Sequence, residues 1–169
     1  MINLFSKPKK EFIGCIDSSF IEGTFLKLIE KDGWNIKIKE DRRLNELNKC
    51  NCQLFINDIN IYEIKNKLLS EFNIPLGRLD EFYNKFICSF ANVKRINIGE
   101  IKITPNLVNW MLKHRLKLND GLLINIAQRM EVPFITSERK AEKWKEAYNG
   151  IMSQEDFWKE MKSEENRPD

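Results

Sequence analysis

Three short apolar runs, FIGCI, QLFI and VPFIT, punctuate this chain, and each passes within a residue or two into polar residues that favour the start of a helix. Ser18 and Ser19 follow the first run, Asn57 and Asp58 the second, and Thr136 and Ser137 the third. Strands that alternate with helices need crossover connections. The pattern therefore predicts an α/β domain, a three-layer sandwich with a central, mainly parallel sheet flanked by helices. In such sheets ligands gather at the carboxyl ends of the strands, so the residues that end these runs carry the functional weight.

The rest of the chain fits the same frame. FIEGTFLKLIEK reads as a helix closed by Asp32 and Gly33, and Trp34, Ile36 and Ile38 alternate as a short strand. Asp41 to Asn48 reads as a helix, and so does a segment capped by Asn57 or Asp58 that carries Ile61, Ile64, Leu68 and Leu69. IPLG is a turn, Leu79 to Ser89 is helical, and Val93 to Ile103 alternates as one or two strands. Thr104 and Pro105 form a helix start, with Thr as N-cap and Pro as the first helical residue. That helix runs to about His114. Another begins near Asn119, with Asn119 or Asp120 as its cap, one follows from about Arg139, and a last one is opened by Ser153 with Asp156. One domain over residues 1–169 is expected, with a core over about 12–145 and a helical extension over about 146–169.

Composition excludes several classes. With 42% hydrophobic and 31% charged residues the chain is globular rather than disordered. The net charge of +3 does not by itself mark a nucleic-acid binder. Cys50 and Cys52 form a C-N-C with no second cysteine pair nearby, and His114 is the single histidine, so a structural zinc site is disfavoured. Cys15 and Cys88 sit in apolar runs and read as small buried hydrophobes. Four free thiols without a secretory signal or a run of membrane-spanning length fit a reducing cytoplasm.

Four acids stand out. Asp17 ends FIGCID, Glu138 lies just past PFIT, Asp120 opens LKLNDGLLINIAQ, and Glu63 lies within INIYEIKNKL. Each has an ordinary reading: Asp17, Asp120 and Glu138 as helix-opening residues favoured by the macrodipole, and Glu63 as a solvent-facing helix residue. Glu71 and Glu81 lie near enough in sequence to compete for the role of Glu63. Taken together, four carboxylates are the donor set a hard divalent cation requires, and clustered carboxylates repel one another without one.

The ordered set CIDSSFI, INIYEIKNKL, LKLNDGLLINIAQ and PFITSERK resembles the PIN-domain nucleases. The family pattern is a strand ending in Asp, a helix carrying Glu, a "DalilatA"-like helix start and a strand running into "TxD". The resemblance spans most of residues 12–145. It implies an acidic pocket of Asp17, Glu63, Asp120 and Glu138 holding Mg²⁺ or Mn²⁺. Thr136 would support it through its hydroxyl, and Ser18 and Asn119 would stand behind the acids. It implies an endoribonuclease acting on single-stranded or structured RNA, either a toxin-type homodimer inhibited by a small antitoxin protein or an RNA-processing enzyme. The alternative is a catalytically weak RNA-binding or scaffold domain. Two positions depart from the pattern: Glu138 stands where Asp is usual, and Gly121 where Ala is common.

An approach for RNA would need basic residues. The candidates are Lys7, Lys9 and Lys10, the pair Arg42 and Arg43, or the group Arg139, Lys140, Lys143 and Lys145 with Trp144 as a stacking surface. The competing reading of that last group is a solvated helix face with Trp144 packed inward.

Overall fold

The computed structural model describes residues 11–32, 35–39, 41–88, 92–97, 99, 101–139 and 141–165. All three apolar runs become strands. β1 (Phe12–Ile16), β4 (Cys52–Asn57) and β6 (Phe134–Thr136) lie side by side with β5 (Val93–Ile96) and β7 (Ile151–Ser153), in the order β5-β4-β1-β6-β7. Every pairing in this sheet is parallel. A small antiparallel hairpin, β2 (Ile29–Asp32) with β3 (Asn35–Ile38), stands apart from it.

Alternation along the strands sends side chains to two separate cores. Phe12 and Ile16 of β1, Leu54 and Ile56 of β4 and Ile135 of β6 pack on one face with Phe20, Leu47, Ile64 and Phe157. Cys15 and Phe134 point to the other face and meet Leu107, Met111, Leu123, Ile124 and Trp144. The first face is covered by α1 (Ser18–Thr24), α2 (Arg42–Lys49), α3 (Asp58–Phe72), α4 (Leu79–Cys88) and α8 (Gln154–Glu165). The second is covered by α5 (Pro105–Lys113), α6 (Leu118–Met130) and the single turn α7 (Ala141–Trp144). This is the three-layer α/β sandwich expected. Completely buried side chains such as Phe20 and Ile64 each contribute about 1.5–3 kcal/mol through lost apolar exposure.

Local chemistry sets the helix starts. Asn57 caps α3 in a reciprocal box with Asn60, and Thr104 caps α5 with Pro105 as its first residue. Ser153 accepts from the Asp156 backbone N–H at 3.1 Å at the start of α8. Glycine at 121 has a steric cause. A Cβ there would run into the side chain of Met111, so α5 and α6 approach closely only because the position is bare.

Several expectations are corrected. α1 stops at Thr24, and the downstream residues that fit a helical period pair instead in the β2–β3 hairpin. Among the described residues of the 93–103 segment, regular strand structure is confined to β5. α6 begins at Leu118 after Lys117, so neither Asn119 nor Asp120 is its cap. β7 was unforeseen: IMS is a three-residue edge strand without readable periodicity. Cys50 and Cys52 are joined in a disulfide rather than present as free thiols, whereas Cys15 is free and buried. The side chain of Cys88, together with Lys7, Lys9, Lys10, Trp34 and Lys140, lies outside the described residues. Among the described residues, no helix is long and apolar enough to cross a membrane.

A candidate active-site cavity lined by acids

Asp17 terminates β1 at the middle of the sheet and serves as the N-cap of α1. It does the ordinary capping work and still lines a cavity of about 440 Å³, being only 7% exposed. Its Oδ1 accepts from the Phe20 backbone N–H at 3.0 Å and from Ser19 Oγ at 2.7 Å. Its Oδ2 accepts from Thr136 Oγ1 at 2.5 Å, across the strand pair β1–β6. Thr136 and Ser19 each give their one hydroxyl proton to Asp17. Their oxygens then accept from the backbone N–H groups of Glu138 and Ser137, both at 3.0 Å. A single network thus fixes Asp17 and the chain leaving β6.

Burial dominates the acidity of Asp17. It pushes the carboxyl from 3.8 up to about 6, while the Thr136, Ser19 and Phe20 donors pull it down and the negative charge of Glu138 pushes it up further. A buried carboxylate of this kind is a natural ligand for a counter-ion.

Glu63 sits on α3, two turns from its start, and is half-buried. Its Oε2 accepts from Ser18 Oγ at 2.5 Å and its Oε1 from Asn119 Nδ2 at 3.3 Å. These bonds draw the beginnings of α1 and α6 onto α3 and settle the register. Glu63 faces the cavity, whereas Glu71 pairs with Lys67 and Glu81 with Arg78. Asp120 occupies the first turn of α6 and also lines the cavity. Glu138, exposed, completes the set from the loop after β6.

All four acids, with Ser18 and Asn119, therefore line one cavity. The donor set is entirely oxygen, which suits a hard cation such as Mg²⁺ or Mn²⁺. Among the described residues, however, no three His, Cys, Asp or Glu side chains converge closely enough to hold an ion. The carboxylates ring the cavity rather than meeting at one point, and the Ser18 and Asn119 bonds hold Glu63 in its place on the wall.

The basic surface differs from expectation. Arg42 is tied to Glu46 at 2.7 Å on α2, and Lys145 to Glu142 at 2.8 Å. Trp144 is buried, packed on Phe134 with ring centroids 6.4 Å apart, which is the inward-packed reading. Among the described residues, the cations that line the cavity are Lys67, Arg115 and Lys117, none of them anticipated. Tyr62, 71% exposed, stands beside them. No local pattern marks these residues; only the packing of α3 against the α5–α6 turn brings them to one cavity. His114 caps the end of α5 beside Trp110, as a helix-end residue.

The same fold occurs in PAE2754 from Pyrobaculum aerophilum, at 13% identity and a TM-score of 0.61, covering 92% of this chain and 99% of that one. It occurs again in a chain of a toxin–antitoxin complex from Klebsiella pneumoniae, at 14% identity and a TM-score of 0.51, covering 83% and 97%. A looser likeness, with a TM-score of 0.47 at 13% identity over 94% and 98% of the two chains, is to a PilT N-terminus domain protein, SSO1118, from Sulfolobus solfataricus; it adds nothing to the comparison. No protein-family model and no curated protein matches the chain. At these identities the likeness concerns the fold alone, the α/β sandwich with a parallel central sheet that the order of the motifs implied.

Proposed function

We propose that this protein is a metal-dependent endoribonuclease with Asp17, Glu63, Asp120 and Glu138 as its catalytic acids. The observation that carries the reading is convergence. Acids from four segments far apart in sequence line one cavity beyond the carboxyl ends of β1 and β6. Helix capping accounts for some of them singly but predicts no shared cavity.

Asp17 and Asp120 are the principal candidates to hold Mg²⁺ or Mn²⁺, with Glu63 and Glu138 at the sides. Such an ion, when bound, lowers the pKa of water and offsets charge on a phosphodiester under attack. The chain's own part is positioning. Thr136 and Ser19 hold the Asp17 carboxylate in one orientation, and Ser18 and Asn119 hold Glu63. No protein nucleophile is required, and among the described residues neither Cys nor His lines the cavity.

The fold shared with a chain of a toxin–antitoxin complex supports a toxin role with a small inhibitory protein as partner, and a homodimer belongs to the same reading through the resemblance of the motifs alone. Sedimentation of the purified chain, alone and with the product of an adjacent small gene, tests both. A second reading, a non-catalytic RNA-binding domain, draws on the spread of the acids around the cavity. Cleavage of labelled RNA with and without Mn²⁺, comparing the wild type with Asp17→Asn and Asp120→Asn, decides between them. Metal-dependent cleavage lost in both variants supports the nuclease. Absence of cleavage, or cleavage that survives both changes, rules it out.

A further inference from the structure

A cavity ringed by acids repels the phosphates of the substrate assigned to it, so something in its wall must offset that repulsion. Among the described residues three cations line it, and they are not equivalent. Lys67 is already engaged by Glu22 at 3.0 Å and Glu71 at 3.3 Å. Arg115 and Lys117 are exposed and have no carboxylate partner among the described residues.

Their placement is fixed by the turn between α5 and α6. The Arg115 N–H donates to the Leu112 carbonyl at 3.1 Å and the Leu116 N–H to the Met111 carbonyl at 2.9 Å, the paired bonds that close a helix through a left-handed residue. Arg115 occupies that left-handed position, at φ 53°, where glycine is the usual choice.

A second observation comes from α3, which lines the same cavity. Asn60, in the first turn of α3, is 1% exposed and lines the same cavity. Its Oδ1 faces the Asn57 backbone N–H in the capping box, which fixes the orientation of the amide. Its Nδ2 is left buried without an acceptor. Buried donors are nearly always satisfied, so this one is a place for a ligand oxygen.

We propose that Arg115, Lys117 and Asn60 form an anion-accepting wall. It takes a phosphate neighbouring the one presented to the acids, so that the cavity accepts a continuous polynucleotide strand rather than an isolated phosphoester. The assignment of the acids to phosphodiester chemistry underlies this wall, but its test does not require cleavage.

The test is binding of a fluorescein-labelled single-stranded RNA oligomer, followed by anisotropy in EDTA over a range of salt concentrations. Each lost phosphate contact lowers the slope of log affinity against log salt by about 0.7 on a single strand, so Arg115→Gln with Lys117→Gln lowers it by about 1.4. Lys27→Gln with Arg129→Gln, two exposed cations away from the cavity, leaves it unchanged. Asn60→Leu, which removes an uncharged donor, weakens binding at every salt concentration without changing the slope, in a variant whose thermal transition shows that it remains folded. An unchanged slope in the Arg115 and Lys117 variant overturns the proposal. So does an equal fall in the control pair, unaltered binding by the Asn60 variant, or a wild type that does not bind RNA. Binding as expected without Mn²⁺-dependent cleavage leaves the wall standing and removes the nuclease. Cleavage with an unchanged slope does the reverse.

Discussion

The two carboxylates held by hydroxyl groups in this cavity are held in opposite ways. Asp17 stands at the end of the central strand, buried, with donors on both oxygens and its nearest support coming from the adjacent strand through Thr136. Glu63 hangs from a helix, half-buried, and its two donors come from the beginnings of two other helices. The strand-held acid is rigid and electrostatically costly. The helix-held acid depends on how three helices sit together. A sheet fixes one carboxylate in place and leaves the others to be trimmed by packing.

The largest break in that comparison is Asp17→Asn. RNA cleavage should fall by more than the roughly 100-fold that loss of a supporting group can cost, measured as initial rate in Mn²⁺. The same variant should be more stable than the wild type in EDTA at neutral pH. Because the folded carboxyl binds its proton up to about pH 6 while the unfolded one releases it near 3.8, the folded state holds more protons between those values. Wild-type stability therefore falls as pH rises through this window, by about 3 kcal/mol. Denaturant melts across pH 3.5 to 7 should show that slope, and Asp17→Asn should remove it. A flat wild-type profile would contradict the burial of the charge.

Thr136→Val comes next, since it leaves the Asp17 Oδ2 without its donor and the Glu138 N–H without its acceptor. About 1–3 kcal/mol of stability is expected to go, and roughly 10–100-fold of activity. Ser18→Ala should cost less stability, about 0.5–1.5 kcal/mol, and should act on activity through Glu63. Equal losses of stability in the two variants would erase the distinction between the strand-held and helix-held acids. The smallest effect is that of Glu138→Gln, which removes a charge that raises the Asp17 pKa. NMR titration of Asp17 should find its midpoint lowered, and an unmoved midpoint would place Glu138 too far away to matter.

Much of this was legible because the chemistry is local. FIGCID announces a buried strand and an acid at its end by composition alone, and Thr104-Pro105 announces a helix start. The four acids were legible through the order of their motifs; that they line one cavity required the fold. What escaped was decided by contacts distant in sequence. FLKLIEK carries a helical period, yet Ile29 to Asp32 pairs with Asn35 to Ile38, because a hairpin partner outweighs a weak propensity. β7 is too short to show a period and exists because β6 offers it an edge. Arg115 and Lys117 looked like any exposed basic pair. Gly121, which looked like a loss from the pattern, is where α5 comes close against α6.

The bond between Asp17 and Thr136 joins positions 119 residues apart. A chain emerging from the ribosome carries Asp17, Glu63 and Asp120 long before it carries the strand that locks the first of them. Until β6 is made and inserted beside β1, that flank of the central strand has no neighbour and the Asp17 Oδ2 has no hydroxyl to hold it. A chain cut after Met130 should accordingly show rapid amide exchange along β1, where the full chain is protected. The cavity is thus incomplete until β6 is in place, and whatever chemistry it performs is withheld from a nascent polypeptide that has not yet reached that strand.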